Sequence, residues 1–228
     1  MSNLILRGMN MKKYALATAM VVLLAAGYSQ RSEAAACIQE ALSFYTAPGF
    51  TCTIDDKTFS GFVYSASTTG TTAMPTAAQV TVSPLAGDEL IFSAAWFVDA
   101  GFAGDVSLIF TVTANPGHLI DDLDVTLTGT NFQGTGSVTD TTVITCGAAT
   151  PCGSADVTLA APSHHFVFTP SSSIKITEDT VLIGGTNGAD FSIVDKTVSQ
   201  VVPEPTSLAL LGVGLFGLAA LRRRKTLR

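Results

Sequence analysis

The chain has 228 residues, 18 acidic against 12 basic, a pI near 4.9 and a mean hydropathy of +0.41. Its cations gather at the two ends: between Cys37 and Pro205 only Lys57, Lys175 and Lys196 stand against 17 acidic residues, a net charge of about −14. A stretch so acidic repels nucleic acid and anionic lipid, which excludes both as partners of the middle of the chain.

The first 36 residues read as an export signal. Arg7, Lys12 and Lys13 form a basic start, and Ala15 to Ala26 form an apolar run of 12 residues, too short for a stable span. Met11 is an alternative start. Ala34 and Ala36 are the small residues a signal peptidase needs for cleavage after Ala36; an earlier site after Gly27 is also open, as is a lipoprotein reading of Cys37. The entry route implied is the Sec translocon.

From Cys37 to Val198 the sequence reads as strands. Thr, Val, Ile and Phe dominate, and the usual helix-surface residues are scarce. Apolar and polar residues alternate in Phe59–Ser65, Gln79–Ser83, Glu89–Val98, Asp105–Thr113, Leu123–Thr128, Gly136–Ile144, Ala155–Ala160, His165–Thr169, Ile174–Thr177 and Phe191–Val198. Gly, Pro or Asn punctuates most gaps, and Asn187-Gly188 after Val181-Leu182-Ile183 is a hairpin signal. About ten short strands without a helical pattern between them predict an all-β fold: one antiparallel β-sandwich or jelly-roll-like domain over 37–198.

Four cysteines fall in this domain. An even count in an exported chain argues for disulfides. Three connectivities are open; Cys37–Cys52 and Cys146–Cys152 are favoured because each pair is local and brackets turn residues. The C-x14-C and C-x5-C spacings do not suit a zinc knuckle.

Residues 199–205 read as a linker ending in Pro203-Glu204-Pro205. Residues 206–228 read as an apolar helix with a basic end. The two prolines delay any helix until after Pro205. Leu208 to Leu221 is an apolar run of 14 residues, about 21 Å as a helix against a bilayer core of about 30 Å. Arg222, Arg223, Arg224 and Lys225 follow and belong on the cytoplasmic side.

In order and spacing this tail resembles the PEP-CTERM sorting signal. The resemblance implies export in an exopolysaccharide-making Gram-negative bacterium and transient anchoring in the inner membrane. It further implies cleavage near Pro203-Glu204-Pro205 by the exosortase and delivery to the surface or beyond. It transfers an address and no activity. Ile120 to Gly129, Gly134 to Val138 and Gly184 to Gly188 are also similar to glycine-rich stretches of β-rich passengers that carry such a tail; they imply no chemistry.

Catalytic constellations are absent from the sequence: no G-x-S-x-G elbow, no phosphate-binding glycine loop, no Ser or Cys beside a His with an orienting acid. His164 and His165 would point to opposite faces of a strand, and His118 follows the turn Asn115-Pro116-Gly117. Asp121, Asp122 and Asp124 are the candidate calcium ligands, hard oxygens with two on one strand face; a solvated strand edge is the alternative. Asp99 and Asp105 form a second acidic pair. Trp96 reads as core, leaving Tyr45, Tyr64 and Phe132 as aromatics for a sugar platform.

The expected function is a non-enzymatic, surface-sorted protein with a structural or adhesive role in the envelope or biofilm matrix, needing no cofactor. A carbohydrate- or calcium-binding module that meets exopolysaccharide is the second reading, and a secreted hydrolase the third.

Overall fold

A computed structural model describes residues 34–129, 135–147, 150–158 and 160–201. The chain divides into Met1–Glu33 and Ala34–Arg228. The first unit lies outside the described residues, as does everything after Val201, so the expected signal segment and C-terminal apolar helix fall there.

The described chain is strand almost throughout. Its elements are β1 (Ala35–Ala36), β2 (Glu40–Ala41), a single helical turn α1 (Leu42–Tyr45), β3 (Thr51–Ile54), β4 (Lys57–Thr68), β5 (Thr81–Leu85) and β6 (Glu89–Val98). There follow β7 (Ala103–Ala114), β8 (Leu119–Thr128), β9 (Ser137–Cys146), β10 (Thr150–Thr158), β11 (Ser163–Ser171), β12 (Ser173–Ile183) and β13 (Ala189–Val201). Two sheets result, β1-β3-β4-β7-β12-β9-β10 and β11-β8-β13-β6-β5-β2. All pairings are antiparallel except β1 with β3.

Alternation places the core. Val106, Leu108, Phe110 and Val112 of β7 are buried while the residues between them face out. Ile120, Leu123, Val125 and Leu127 of β8 face them from the other sheet, with Leu90, Phe92, Trp96 and Val98 of β6. Each side chain of this size contributes about 1.5–3 kcal/mol on burial. Trp96 stacks on Phe191 at 4.5 Å, and its indole N–H donates to Tyr64 Oη at 3.0 Å, which donates to the Pro75 carbonyl at 2.8 Å. Tyr45, expected as an exposed aromatic, is 1% exposed: α1 lays it against Phe50 and Phe62, and its hydroxyl bonds the Ile38 carbonyl. Tyr64 is partly buried, and Phe132 lies outside the described residues.

Two local features depart from the sequence reading. Thr51–Ile54 is a strand, hairpinned to β4 through Asp55-Asp56, with Asp55 at φ 47° doing the work usually given to glycine. The Asn187-Gly188 signal closes no hairpin, because β12 and β13 belong to different sheets and the turn carries the chain across the sandwich. Gly184 is required in that crossover, since a Cβ there would lie 2.0 Å from the Asp99 carbonyl.

The edges of the folded unit also differ from the expected 37–198. Ala35 and Ala36 pair with Cys52 and Thr53, ahead of the expected start. At the other end β13 continues to Val201, paired with Leu119. Both favoured disulfides are formed, Cys37–Cys52 and Cys146–Cys152, and no described cysteine is free. The first ties the start of the fold to β3, and the second closes the β9–β10 hairpin. Short loops of this kind add about 2–3 kcal/mol each.

Replacing Trp96 by Ala should cost about 3–5 kcal/mol, because a large buried ring is lost together with the partner of Tyr64. Urea unfolding followed by far-UV circular dichroism, with the disulfides intact, would read this as a lower midpoint.

Candidate functional site

Three groups of charged residues stand out in the described chain: a carboxylate row on the outer face of one sheet, an ion pair at the turn end, and a cluster sealed between the sheets. The predicted calcium ligands belong to the first. Asp122 and Asp124 flank buried Leu123 on β8 and point outward. Asp121 does not join them, because a bulge pairs Asp122 with Ser199 and Ile120 with Gln200 and leaves Asp121 between the rungs. On the neighbouring strand His165 stands opposite Asp124, with Nδ1 at 2.8 Å from Oδ1, both about half exposed.

Across β13 the row continues to Asp195 and Glu89. Burial, then the proximity of Glu89, pushes the Asp195 carboxyl up to about 6. Among the described residues no group of three or more His, Cys, Asp or Glu is arranged to hold a metal ion.

The other sequence candidates are scattered. His164 packs edge-on against Phe166 at 4.5 Å, and His118 pairs with Asp56 at 2.8 Å at the far end of β8. Asp99 accepts from the Thr72 hydroxyl at 2.8 Å and anchors a loop. Asp105 lies beside Asp179, whose carboxyl is raised by burial and by this neighbour. No two of the three histidines meet.

The second group was not foreseen. Lys57, at the foot of β4, is fully buried and contacts Asp88 and, at 3.2 Å, Asp56. Asp88 sits at φ 62° in the β5–β6 turn, and its carboxyl is raised by burial against the pull of Lys57. The pair pins a turn of one sheet to a strand of the other.

The third group is the most enclosed. Lys196 of β13 is 1% exposed, Asp140 of β9 is 0% and Glu178 of β12 is 2%. Lys196 Nζ contacts a Glu178 carboxylate oxygen and lies 3.4 Å from Asp140 Oδ2. Thr180 donates to Asp140 Oδ1 at 3.0 Å, and Thr142 lies 3.5 Å from Oδ2. One cation thus faces two carboxylates. Desolvation, larger than the attraction of Lys196, raises Glu178 from 4.5 to about 7. Beside Glu178 and Thr180 lies a cavity of about 10 Å³ walled by Trp96, Phe92 and Phe191. That is about enough for one water and far too small for a sugar ring.

A signal for this cluster was present in the sequence. Lys196 lies between Val194 and Val198, Asp140 between Val138 and Thr142, and Glu178 between Ile176 and Thr180, each at the phase of the buried residues.

The tail follows directly: Pro203 is two residues beyond the last residue of β13. Residues 201–225 match the model of the PEP-CTERM protein-sorting motif, as expected of an exosortase substrate. The motif marks the chain for export and membrane-associated sorting. No curated protein matches the chain. Among solved structures it is similar to TmCBM61 in complex with beta-1,4-galactotriose, at 14% identity over 60% of this chain and 88% of that one, TM-score 0.35. It is also similar to the enzymatically active domain of bacteriophage CBA120 tailspike protein 4, at 12% identity over 60% and 19%, TM-score 0.31. A carbohydrate-binding module of the β-sandwich superfamily shows 9% identity over 72% and 63%, TM-score 0.27.

Because Glu178 is held above its ordinary range, its protonated form favours the fold. The stability it contributes is full below about pH 4.5 and is lost as pH rises through about 7. Asp195 acts in the same direction through about 6. The melting temperature should therefore fall between pH 4.5 and 8, and Glu178→Gln should flatten much of that fall. A scanning calorimetry series across this range would show it; a parent whose melting temperature rises over the same interval would reverse the assignment.

Proposed function

We propose that the chain is a non-enzymatic surface protein, a disulfide-stapled β-sandwich that the sorting tail delivers to the cell surface, where it serves a structural or adhesive role in the envelope or the exopolysaccharide matrix. The observation that carries this reading is the direct succession of fold and address: the strand β13 ends at Val201, and the sorting motif begins there. Its acidic surface supports the same reading. Of the three lysines in the described residues two are buried, so the exterior presents Lys175 amid many carboxylates, a composition suited to a hydrated extracellular setting.

Replacing Pro203, Glu204 and Pro205 together by Ala should leave the exported protein unprocessed in the inner-membrane fraction, with its surface pool lost. Immunoblotting of cell fractions measures this. A parent chain recovered full length and thiol-reduced from the cytoplasm would overturn the surface role.

A second reading is favoured by the row Asp122, Asp124, Asp195 and Glu89: divalent cations bridging this face to acidic polysaccharide. Calcium should then raise the melting temperature of the parent by a few degrees and that of the double variant Asp122→Asn, Asp124→Asn by less. Equal response of the two proteins would remove this reading while leaving the first intact.

A further inference from the structure

The cluster between the sheets has the composition of a reaction site that faces no solvent and no substrate: an amine, a carboxyl group to acylate it, a second carboxyl to carry a proton, and two hydroxyl donors. We propose that Lys196 and Asp140 become joined by an intramolecular isopeptide bond, with Glu178 as the proton carrier, so that β13 of one sheet is covalently tied to β9 of the other.

Four observations carry this. Lys196 and Asp140 come from opposite sheets yet stand with Nζ 3.4 Å from Oδ2, at the contact distance from which Nζ can reach Cγ. All three charged groups are at most 2% exposed, so water competes poorly for the carboxyl carbon and does not hold Lys196 as a hydrated ammonium. Glu178 touches the same Nζ, the place a base must occupy to take its proton. The Thr180 and Thr142 hydroxyls approach the two oxygens of Asp140, where they polarise the carboxyl and hold charge that develops on it.

The step balances without a co-reactant. Glu178, as carboxylate, takes a proton from the Lys196 ammonium and hands it to the Asp140 carboxylate, which leaves an amine facing a neutral acid. The freed Nζ lone pair attacks Cγ, forming the N–C bond and a tetrahedral centre whose oxygen is held by the threonine hydroxyls. Glu178 takes a proton from the new N–C nitrogen and passes it to the departing hydroxyl, the C–O bond breaks, and one water leaves. Glu178 ends as the carboxylate it began as, and Lys–NH3+ and Asp–COO− have become an amide and water, with no change of oxidation state. Glu178 lines the adjacent cavity, which has room for the leaving water. Its carboxyl, raised to about 7, is poised for both halves of the proton transfer near neutrality.

Lys57 provides a contrast within the same fold. Its partners Asp56 and Asp88 lie at turns, with side chains 22% and 11% exposed. That site has the charge of an ion pair without the enclosure.

The test is peptide mapping of the full chain as purified, after disulfide reduction. The parent should yield a branched peptide joining the Lys196 and Asp140 segments, and the mass of the protein should be short by one water. Lys196→Arg keeps the buried cation and removes the nucleophile, so branch and deficit should both vanish. Asp140→Asn should form the same branch with loss of ammonia instead of water. Glu178→Gln should stay folded by circular dichroism and remain largely unbranched. Linear peptides with the full sequence mass in the folded parent would overturn the proposal, as would a branch running through Glu178. The parent readout needs no variant to fold, and it stands apart from the question of where the protein is sorted.

Discussion

Taking a charge out of water and placing it between two sheets is among the most costly things a small fold can do. An isolated ion would lose several kcal/mol of hydration that the apolar interior does not return. The sandwich nevertheless holds Lys196, Asp140 and Glu178 between β9, β12 and β13. Their mutual contacts therefore dictate how the two layers may sit. A slip of one residue in β13 would turn Lys196 outward and leave two carboxylates buried without a cation. The cluster thus fixes register across the sandwich, where apolar side chains alone would tolerate more freedom. Lys57 does the same work at the turn end, tying the β5–β6 turn to the foot of β4.

This inward use of lysine shapes the exterior. Cations that would have balanced the surface are spent inside, and the outer faces are left with carboxylates facing one another across strands. Burial, and then the nearness of Glu89 and Asp105, makes Asp195 and Asp179 hold their protons more tightly than isolated carboxyls. Such a surface also stays hydrated.

The alternating pattern made the sheets legible. Glu89–Val98 was bounded as observed, and most of the longer strands were found with one or both ends short, because Ala103 and Gly104 at the start of β7 carry little apolar signal and Asp121-Asp122 interrupt the alternation of β8. β3 was missed because four residues give too short a pattern and its turn uses Asp55 where glycine would have announced it. The crossover at Asn187-Gly188 was read as a hairpin because turn chemistry reports a change of direction and not which sheet receives the next strand. Tyr45 was misplaced since a single helical turn has no periodicity to show its buried side. The disulfides followed from locality. The buried charges were visible only as charged residues at apolar phase, a signal that acquires meaning when three strands bring them to one point.

The position of β13 has one more consequence. It lies in the middle of its sheet, with β8 on one side and β6 on the other, and the sorting tail continues from its end. A protein held from that tail while its surroundings move would feel tension along the strand axis. Its hydrogen bonds to both neighbours run across that axis, so they would be loaded together in shear and not opened one at a time as at a peeled edge. Lys196 sits five residues before the point where the pull enters, and through Asp140 and Glu178 it passes part of that load to the opposite layer. The strand that bears the address is thereby also the one best placed to bear force.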